Sequence, residues 1–338
     1  MKKNLLSVCS ILLIILYSSC KQNGTSTFII QHVSGTDTLQ GEHTWLTHEH
    51  ILVDFIGADS IDPNDWNVDT VLQVMLPYLQ AVKARGVEYY VEITPQFLGR
   101  DVKLLEKVAQ ETGLKILTNT GLYGAVNNKY IPAYAYEKTA EELAQMWIAE
   151  YENGIEGTSI RPGLQKISVD NQNPLDEIDQ KIVRAAALTH KATGLTIASH
   201  TGKAKALWPQ LDILQEDGVA PEAFIWVHAQ NESDTLEYLK AYETGCWISL
   251  DGIGWNWEAH LDKLLFAKRA GILDRIILSH DAGWYDPQKE EHSIQPYTNL
   301  FDFLYPALME NGFTAEEWDL LVKKNPVRAY GIRKRLAE

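Results

Sequence analysis

Four times along this chain a segment with apolar residues at helical spacing stops at a glycine, and a short apolar run follows within a few residues. The stops are Ala84-Arg85-Gly86, Glu111-Thr112-Gly113, Ala192-Thr193-Gly194 and Arg269-Ala270-Gly271. A glycine just past a helix end, followed by a buried strand, is the joint of a repeating β-α unit. The helical spacing is plain in Val71, Leu72, Met75, Leu79 and Val82, and again in Ile178, Ile182, Val183 and Ala186. Eight apolar runs are short enough to be strands: residues 44–46, 89–93, 115–119, 164–169, 195–199, 224–227, 247–250 and 275–279. Eight units in about 290 residues fit an α/β fold of the (β/α)8 TIM barrel type, whose usual size is about 250 residues plus insertions. An open doubly wound sheet is disfavoured, because Gly41-Glu42-His43 offers nothing like a glycine-rich phosphate fingerprint.

Of the 338 residues, 45% are hydrophobic and 22% are charged, so the chain is too apolar for a disordered segment. Lys and Arg number 30 against 45 Asp and Glu, a net charge of −15, which argues against nucleic acid as a partner. The N-terminus reads differently from the rest. Lys2 and Lys3 precede an apolar stretch from Leu5 to Tyr17, which ends in Ser18-Ser19-Cys20. A membrane-spanning helix needs roughly 20 apolar residues, so this shorter run is a secretory signal. Small residues before a cysteine resemble a bacterial lipobox, in which Cys20 becomes the lipidated first residue. The expected organisation is a signal peptide over 1–19, a tether and N-terminal segment over 20–38, and one barrel domain over 39–338. The protein would then be an exported, membrane-anchored bacterial lipoprotein, periplasmic or on the cell surface, touching the membrane only through its lipid. Cleavage would discard Cys9 and leave Cys246, in an apolar run, as a quiet core thiol.

The chemistry-bearing residues stand where these strands end. His48 and His50 follow the first strand, His200 the fifth, His228 the sixth and Asp281 the eighth. Residues two apart on a strand share a face, so His48 and His50 can serve one cation. Strand C-terminal ends converge on one mouth of a barrel, and four imidazoles with a carboxylate there suit zinc or a similar divalent metal. Lys166, on the fourth strand in Leu164-Gln165-Lys166-Ile167, would be an inward lysine. Burial lowers the pKa of such an amine. The neutral form can react with carbon dioxide to give a carbamate; the alternative is a strand-end ammonium that reaches solvent or pairs with a carboxylate such as Glu92 or Asp281.

The order of these stretches resembles the phosphotriesterase-related family of the amidohydrolase superfamily. The resemblance rests on Leu46-Thr47-His48-Glu49-His50, Gly99-Arg100-Asp101-Val102, Thr120-Gly121-Leu122-Tyr123, Gln165-Lys166-Ile167, Ser199-His200-Thr201, Val227-His228, Ser279-His280-Asp281 and Lys324-Asn325-Pro326-Val327-Arg328. It implies a binuclear centre of two divalent metals. His48, His50 and Asp281 would hold one, His200 and His228 the other, and Lys166 carboxylated by carbon dioxide would bridge them. A hydroxide between two metals attacks the substrate while one metal polarises its oxygen. Asp281 is placed to accept the proton. His280 should face away from the site, and Asp101 is expected to cap a helix, with Arg100 structural.

Aromatic residues gather in the loops after the strands: Tyr123, Trp255, Trp257 and Trp284. They suggest an apolar wall for a small uncharged ester, lactone or triester. Related lactonases carry an arginine after the Leu-Asp that ends the seventh strand, where this chain has Gly252. The expected function is therefore a metal-dependent hydrolase acting on a lactone or other carboxylic ester. Phosphotriester hydrolysis by the same centre is the alternative. A binding lipoprotein without turnover and a barrel glycosidase using Glu49 and Glu92 are readings of other classes, and a homodimer is compatible with all of them.

Overall fold

The apolar runs do become strands. In the computed structural model, which describes residues 26–337, β1 (Phe28–His32) and β2 (Gly35–Leu39) form an antiparallel hairpin. Seven further strands follow the sequence expectation closely: β3 (Thr44–Glu49), β4 (Val87–Glu92), β7 (Leu164–Ser168), β8 (Ile197–His200), β9 (Phe224–Val227), β10 (Trp247–Leu250) and β11 (Ile276–Leu278). The run over 115–119 is split into β5 (Lys115–Leu117) and β6 (Asn119–Thr120), with Thr118 between them. β5 pairs with β4, and β6 with β7, all in parallel. The segment expected as a signal peptide, Cys9 and Cys20 lie outside the described residues.

The ring closes between β3 and β11 through side chains as much as backbone. Ser279 Oγ accepts the N–H of Thr47 at 2.9 Å and of His48 at 2.8 Å, and Thr47 Oγ1 donates to Leu278 O at 2.9 Å. Beyond it, Asp281 N–H donates to His48 O at 3.1 Å. Alternation then sorts each strand. Trp45, Tyr89, Val91, Leu117, Leu164, Ala198, Ile225, Trp247 and Ile277 fill the interior. Leu46, Tyr90, Ile116, Ile167, Ile197, Trp226, Ile248 and Leu278 face the helix ring.

Helices α1 (Val68–Lys83), α2 (Val102–Thr112), α5 (Glu177–Thr193), α6 (Ala204–Glu216), α7 (Thr235–Thr244) and α8 (Trp257–Ala270) return the chain between strands, with two further helices, α3 (Ala133–Glu137) and α4 (Ala140–Asn153), before β7. Among the described residues no helix is long and apolar enough to cross a membrane.

The floor of the barrel is built from both chain ends. Ile30 and Leu39 of the hairpin join Trp45, Tyr89 and Leu164 in the interior cluster, together with Val327 and Tyr330. Tyr330 Oη donates to Thr47 O at 2.7 Å. The stretch expected as a tether and N-terminal segment over 20–38 thus holds most of a hairpin that packs into the domain. Its strands are half-exposed, and of their three buried residues, Ile30, His32 and Leu39, only two are apolar, too few to read as a strand pair.

Candidate metal centre

A parity problem in the sequence is solved by the backbone. Trp45 points inward, so strict alternation would send His48 outward. The pairing of β3 with β4 slips between Leu46 and Glu49, and this irregularity turns His48 inward. Glu49 is then outside, where its carboxylate accepts from Ser279 Oγ, from both the backbone N–H and ring Nδ1 of His280, and from Ala282 N–H. His280 in turn accepts the Leu300 N–H at Nε2, so it locks a loop and stays out of the site, as expected. On β7, Leu164 and Lys166 face in while Gln165 reaches α5 through Ala186 O. Asp281 and His228 adopt left-handed backbone, with φ of 53° and 60°. Positive φ at residues other than glycine is uncommon and concentrates at functional sites.

The donor atoms of His48, His228 and Asp281 lie within 4.8 Å of one another. Asp281 sits between two groups. Its Oδ1 is 3.5 Å from His48 Nε2 and 3.2 Å from His50 Nε2, and its Oδ2 is 3.9 Å from His228 Nδ1. The His200 and His228 rings are in edge contact at 4.4 Å. Lys166, His48, His50, His200, His228 and Asp281 line one narrow cavity with Tyr123 and Trp284. The structure therefore brings together all six residues expected as ligands.

The surrounding hydrogen bonds fix which nitrogen each imidazole offers. Thr94 Oγ1 donates to Glu92, so its oxygen accepts from His50 Nδ1–H at 2.8 Å. That leaves the bare lone pair of His50 Nε2 facing an oxygen of Asp281. Two acceptors held this close call for a cation or proton between them, and this is the observation by which the donor set fits a metal. His228 is held by Asp251, whose Oδ1 accepts from ring Nδ1–H at 2.7 Å and whose Oδ2 accepts the backbone N–H at 3.1 Å. Asp251 Oδ2 also stands 3.4 Å from His48 Nδ1. One buried carboxylate thus orients two imidazoles. Sequence reasoning passed over it, although its place at the end of β10 was the available signal.

Electrostatics follow the burial. Desolvation pulls His48 down to about 4 and His200 well below its ordinary value. Burial alone would raise Asp281, but the closely placed His50, His228 and His48 imidazoles outweigh it and hold the carboxylate below its usual range. Burial also favours a neutral Asp251, yet His228 and His48 keep it ionised. Lys166 is 1% exposed, and its amine is drawn down to about 8 by desolvation. It forms no ion pair with Glu92 or Asp281 among the described residues, so the paired-ammonium alternative is not what the chain builds.

The remaining expectations divide. Tyr123 lines the narrow cavity, and its hydroxyl meets His200 Nδ1 at 2.9 Å. Trp255 and Trp284 both donate their indole N–H to Asp281 O, at 2.9 and 3.1 Å, which brings both to the mouth. Trp257 is a correction. It opens α8 and stacks on Phe303, away from the residues lining the mouth, because the helix start turns it toward the outer ring. Glu49 and Glu92 are likewise removed as a glycosidase pair, since both are buried and engaged on the outer side of the strands. Asp101 caps α2 as expected, while Arg100 pairs with Glu150 at 2.8 Å and Glu156 at 3.0 Å.

Parallel strands whose ends converge on buried imidazoles and a carboxylate define a barrel protein of the metal-dependent hydrolase class. More particularly, the chain belongs to the phosphotriesterase family, whose model matches residues 30–330. A phosphotriesterase homology protein of Escherichia coli (strain K12) is 27% identical over 288 residues, covering 83% of this chain and 95% of that protein. An aryldialkylphosphatase of Saccharolobus solfataricus is 28% identical over 312 residues, covering 88% and 98%. An N-acetyltaurine hydrolase of Rattus norvegicus is 25% identical over 260 residues, covering 72% and 73%. The crystal structure of a phosphotriesterase homology protein from Escherichia coli, complexed with phosphate in its active site, is similar with a TM-score of 0.74 at 25% identity. That likeness covers 86% of this chain and 100% of the solved one. The family uses a binuclear divalent metal centre, and the His/Asp group described above fits one.

Proposed function

We propose that this protein hydrolyses a lactone or other carboxylic ester, with a phosphotriester supported no less by the relatives it resembles. The observation that carries the proposal is Asp281, whose two oxygens face two separate imidazole groups beside a buried lysine that forms no ion pair among the described residues. Two divalent metals, zinc in this reading, would be held by His48, His50 and Asp281 on one side and His200 and His228 on the other; bound there, they polarise the substrate oxygen and supply hydroxide at neutral pH. Lys166 would join the two groups as a carbamate, its neutral Nζ having bonded to the carbon of carbon dioxide and released a proton. Asp281 accepts a proton at a carboxylate oxygen as the attack proceeds. Thr94 and Asp251 keep the Nδ1 protons of His50 and His228 in place, so that the opposite nitrogens remain free. Trp284 and Phe55 form an apolar wall that limits water around the reacting bond.

The lactone is preferred because phosphotriesters are rare natural metabolites, and an amide is a further arm of the test because one relative is an N-acetyltaurine hydrolase. The reading further proposes an exported lipoprotein anchored through Cys20. A turnover panel on metal-reconstituted protein tests the substrate class, comparing lactones, aryl esters, phosphotriesters and N-acyl amides. A specificity constant about tenfold higher for lactones or esters, equivalent to about 1.4 kcal/mol, supports the preference; the same margin for phosphotriesters or amides overturns it.

A further inference from the structure

A second and larger cavity, of about 370 Å³, opens beside the metal centre and shares His200, His228 and Asp281 with it. Part of its polar lining is already spent on contacts within the fold. Gln230 spends its amide on Asp251, accepting the backbone N–H at 3.2 Å and donating to Oδ1 at 3.0 Å. His260 is neutral and also spent: Nδ1–H donates to Asn256 O and Nε2 accepts the Gly252 N–H. Asn256 accepts the Ala259 N–H at its side-chain oxygen, which leaves its amide N–H groups free as donors. Asn231 lines the cavity as an exposed amide, and the cavity's ammonium is Lys263 of α8, which is half-buried.

Lys263 is tethered without being neutralised. Its Nζ donates to the carbonyl oxygen of Glu232 at 3.3 Å and lies 5.8 Å over the Tyr238 ring. The Glu232 carboxylate is turned to other work, accepting the backbone N–H groups of Ala204, Ser233 and Asp234. Among the described residues Lys263 forms no ion pair, in a chain whose net charge is −15. Desolvation draws its pKa down against the weaker pull of the Glu232 and Asp262 carboxylates, the direction that an approaching anion reverses. Among the described residues Asp281, at the reacting end, is the one carboxylate that lines the cavity. Trp255, 62% exposed, lines the same cavity and is anchored at the Asp281 end by its indole N–H, an apolar surface over which a spacer can lie.

We infer that the substrate of the proposed hydrolytic site carries a terminal anion, a carboxylate or sulfonate, which is bound by Lys263 across an apolar spacer from the bond that is cleaved. This rests on the hydrolase reading of the same mouth, and it replaces the uncharged substrate that the aromatic residues alone suggested.

The test uses three matched esters, 4-acetoxybenzoate, 4-acetoxybenzenesulfonate and neutral 4-acetoxybenzamide, with the metal-loaded protein and its Lys263→Met and Lys263→Arg variants. The kcat/KM for at least one anionic ester should exceed that for the amide about tenfold, mainly through KM. Lys263→Met should abolish most of this ratio and Lys263→Arg should retain it. Which anion gives the larger ratio distinguishes carboxylate from sulfonate. Calorimetry with 4-hydroxybenzoate, 4-hydroxybenzenesulfonate and 4-hydroxybenzamide gives a readout independent of turnover, and the anions should bind about tenfold tighter. Ratios near one in the unaltered protein, or ratios unchanged in Lys263→Met, overturn the inference. Absence of turnover for all three esters would count against the ester reading, while the calorimetric ratio would still decide whether Lys263 selects an anion.

Discussion

Asp251 shows how much of the centre depends on a residue that does not itself join the Asp281 group. It receives two hydrogen bonds from His228 and one from Ser249 Oγ, and it stands near His48. Removing such an orienting carboxylate typically costs about 10–100-fold in metal affinity or activity. Asp251→Ala should therefore weaken metal binding by about that factor, as read by competition with a chelating dye, and an unchanged affinity would mean that the imidazoles are held by other contacts. Gly283 makes a second test at this scale. Its φ is +97°, and a Cβ there would fall on the carbonyl oxygen of His50 and the hydroxyl of Tyr297. Gly283→Ala should lower stability by about 2 kcal/mol or more in denaturant titration, and a smaller loss would show that the loop can shift. The residues expected as ligands were legible in the sequence because His48, His50, His200, His228 and Asp281 stand at or just past the ends of apolar runs and Lys166 interrupts one. Asp251 was not, because an aspartate after a strand reads equally as a loop residue until its partners are known.

At the scale of elements, the eight barrel strands were legible because buried parallel strands are written as continuous apolar runs. The register slip in β3 was not, since the residues on either side of it satisfy alternation separately and only the pairing with β4 reveals the break. Nor was the split at Thr118, which leaves the apolar pattern of 115–119 intact. The start of α5 carries a pH dependence. Burial raises the Asp179 carboxyl to about 7, with Asp176 and Asp170 adding to the shift against the hydrogen bond from Asp170 N–H. An aspartate in the unfolded chain titrates near 3.9, so between about pH 4 and pH 7 folding binds a proton here and stability falls as pH rises. Above about pH 7 the penalty is constant. Asp179→Asn keeps the oxygen that accepts from Asp170 and removes the titration. Thermal midpoints at pH 5 and pH 8 should thus differ less in the variant than in the parent, and an equal difference would assign the pH dependence elsewhere.

For the molecule as a whole, the two chain ends meet under the barrel while the chemistry occupies the opposite mouth, as strand direction requires. The N-terminal hairpin enters at the floor, so an anchor attached ahead of it would not obstruct the substrate cavity. Under the lipoprotein reading, Cys20→Ser should move the protein from the membrane fraction to the soluble fraction of the producing cell with its activity kept. Retention in the membrane fraction would indicate a different mode of attachment. Cys246 stands apart from this chemistry: it is buried, and desolvation pushes its thiol up to about 12. The central claim is that the six convergent residues hold two metals that the reaction requires. Elemental analysis of the purified mature protein measures this most directly, paired with activity before and after chelation. The account predicts two equivalents of divalent metal per chain, lost together with hydrolysis and restored together on adding the metal back; no stoichiometric metal, with turnover indifferent to the chelator, would contradict it.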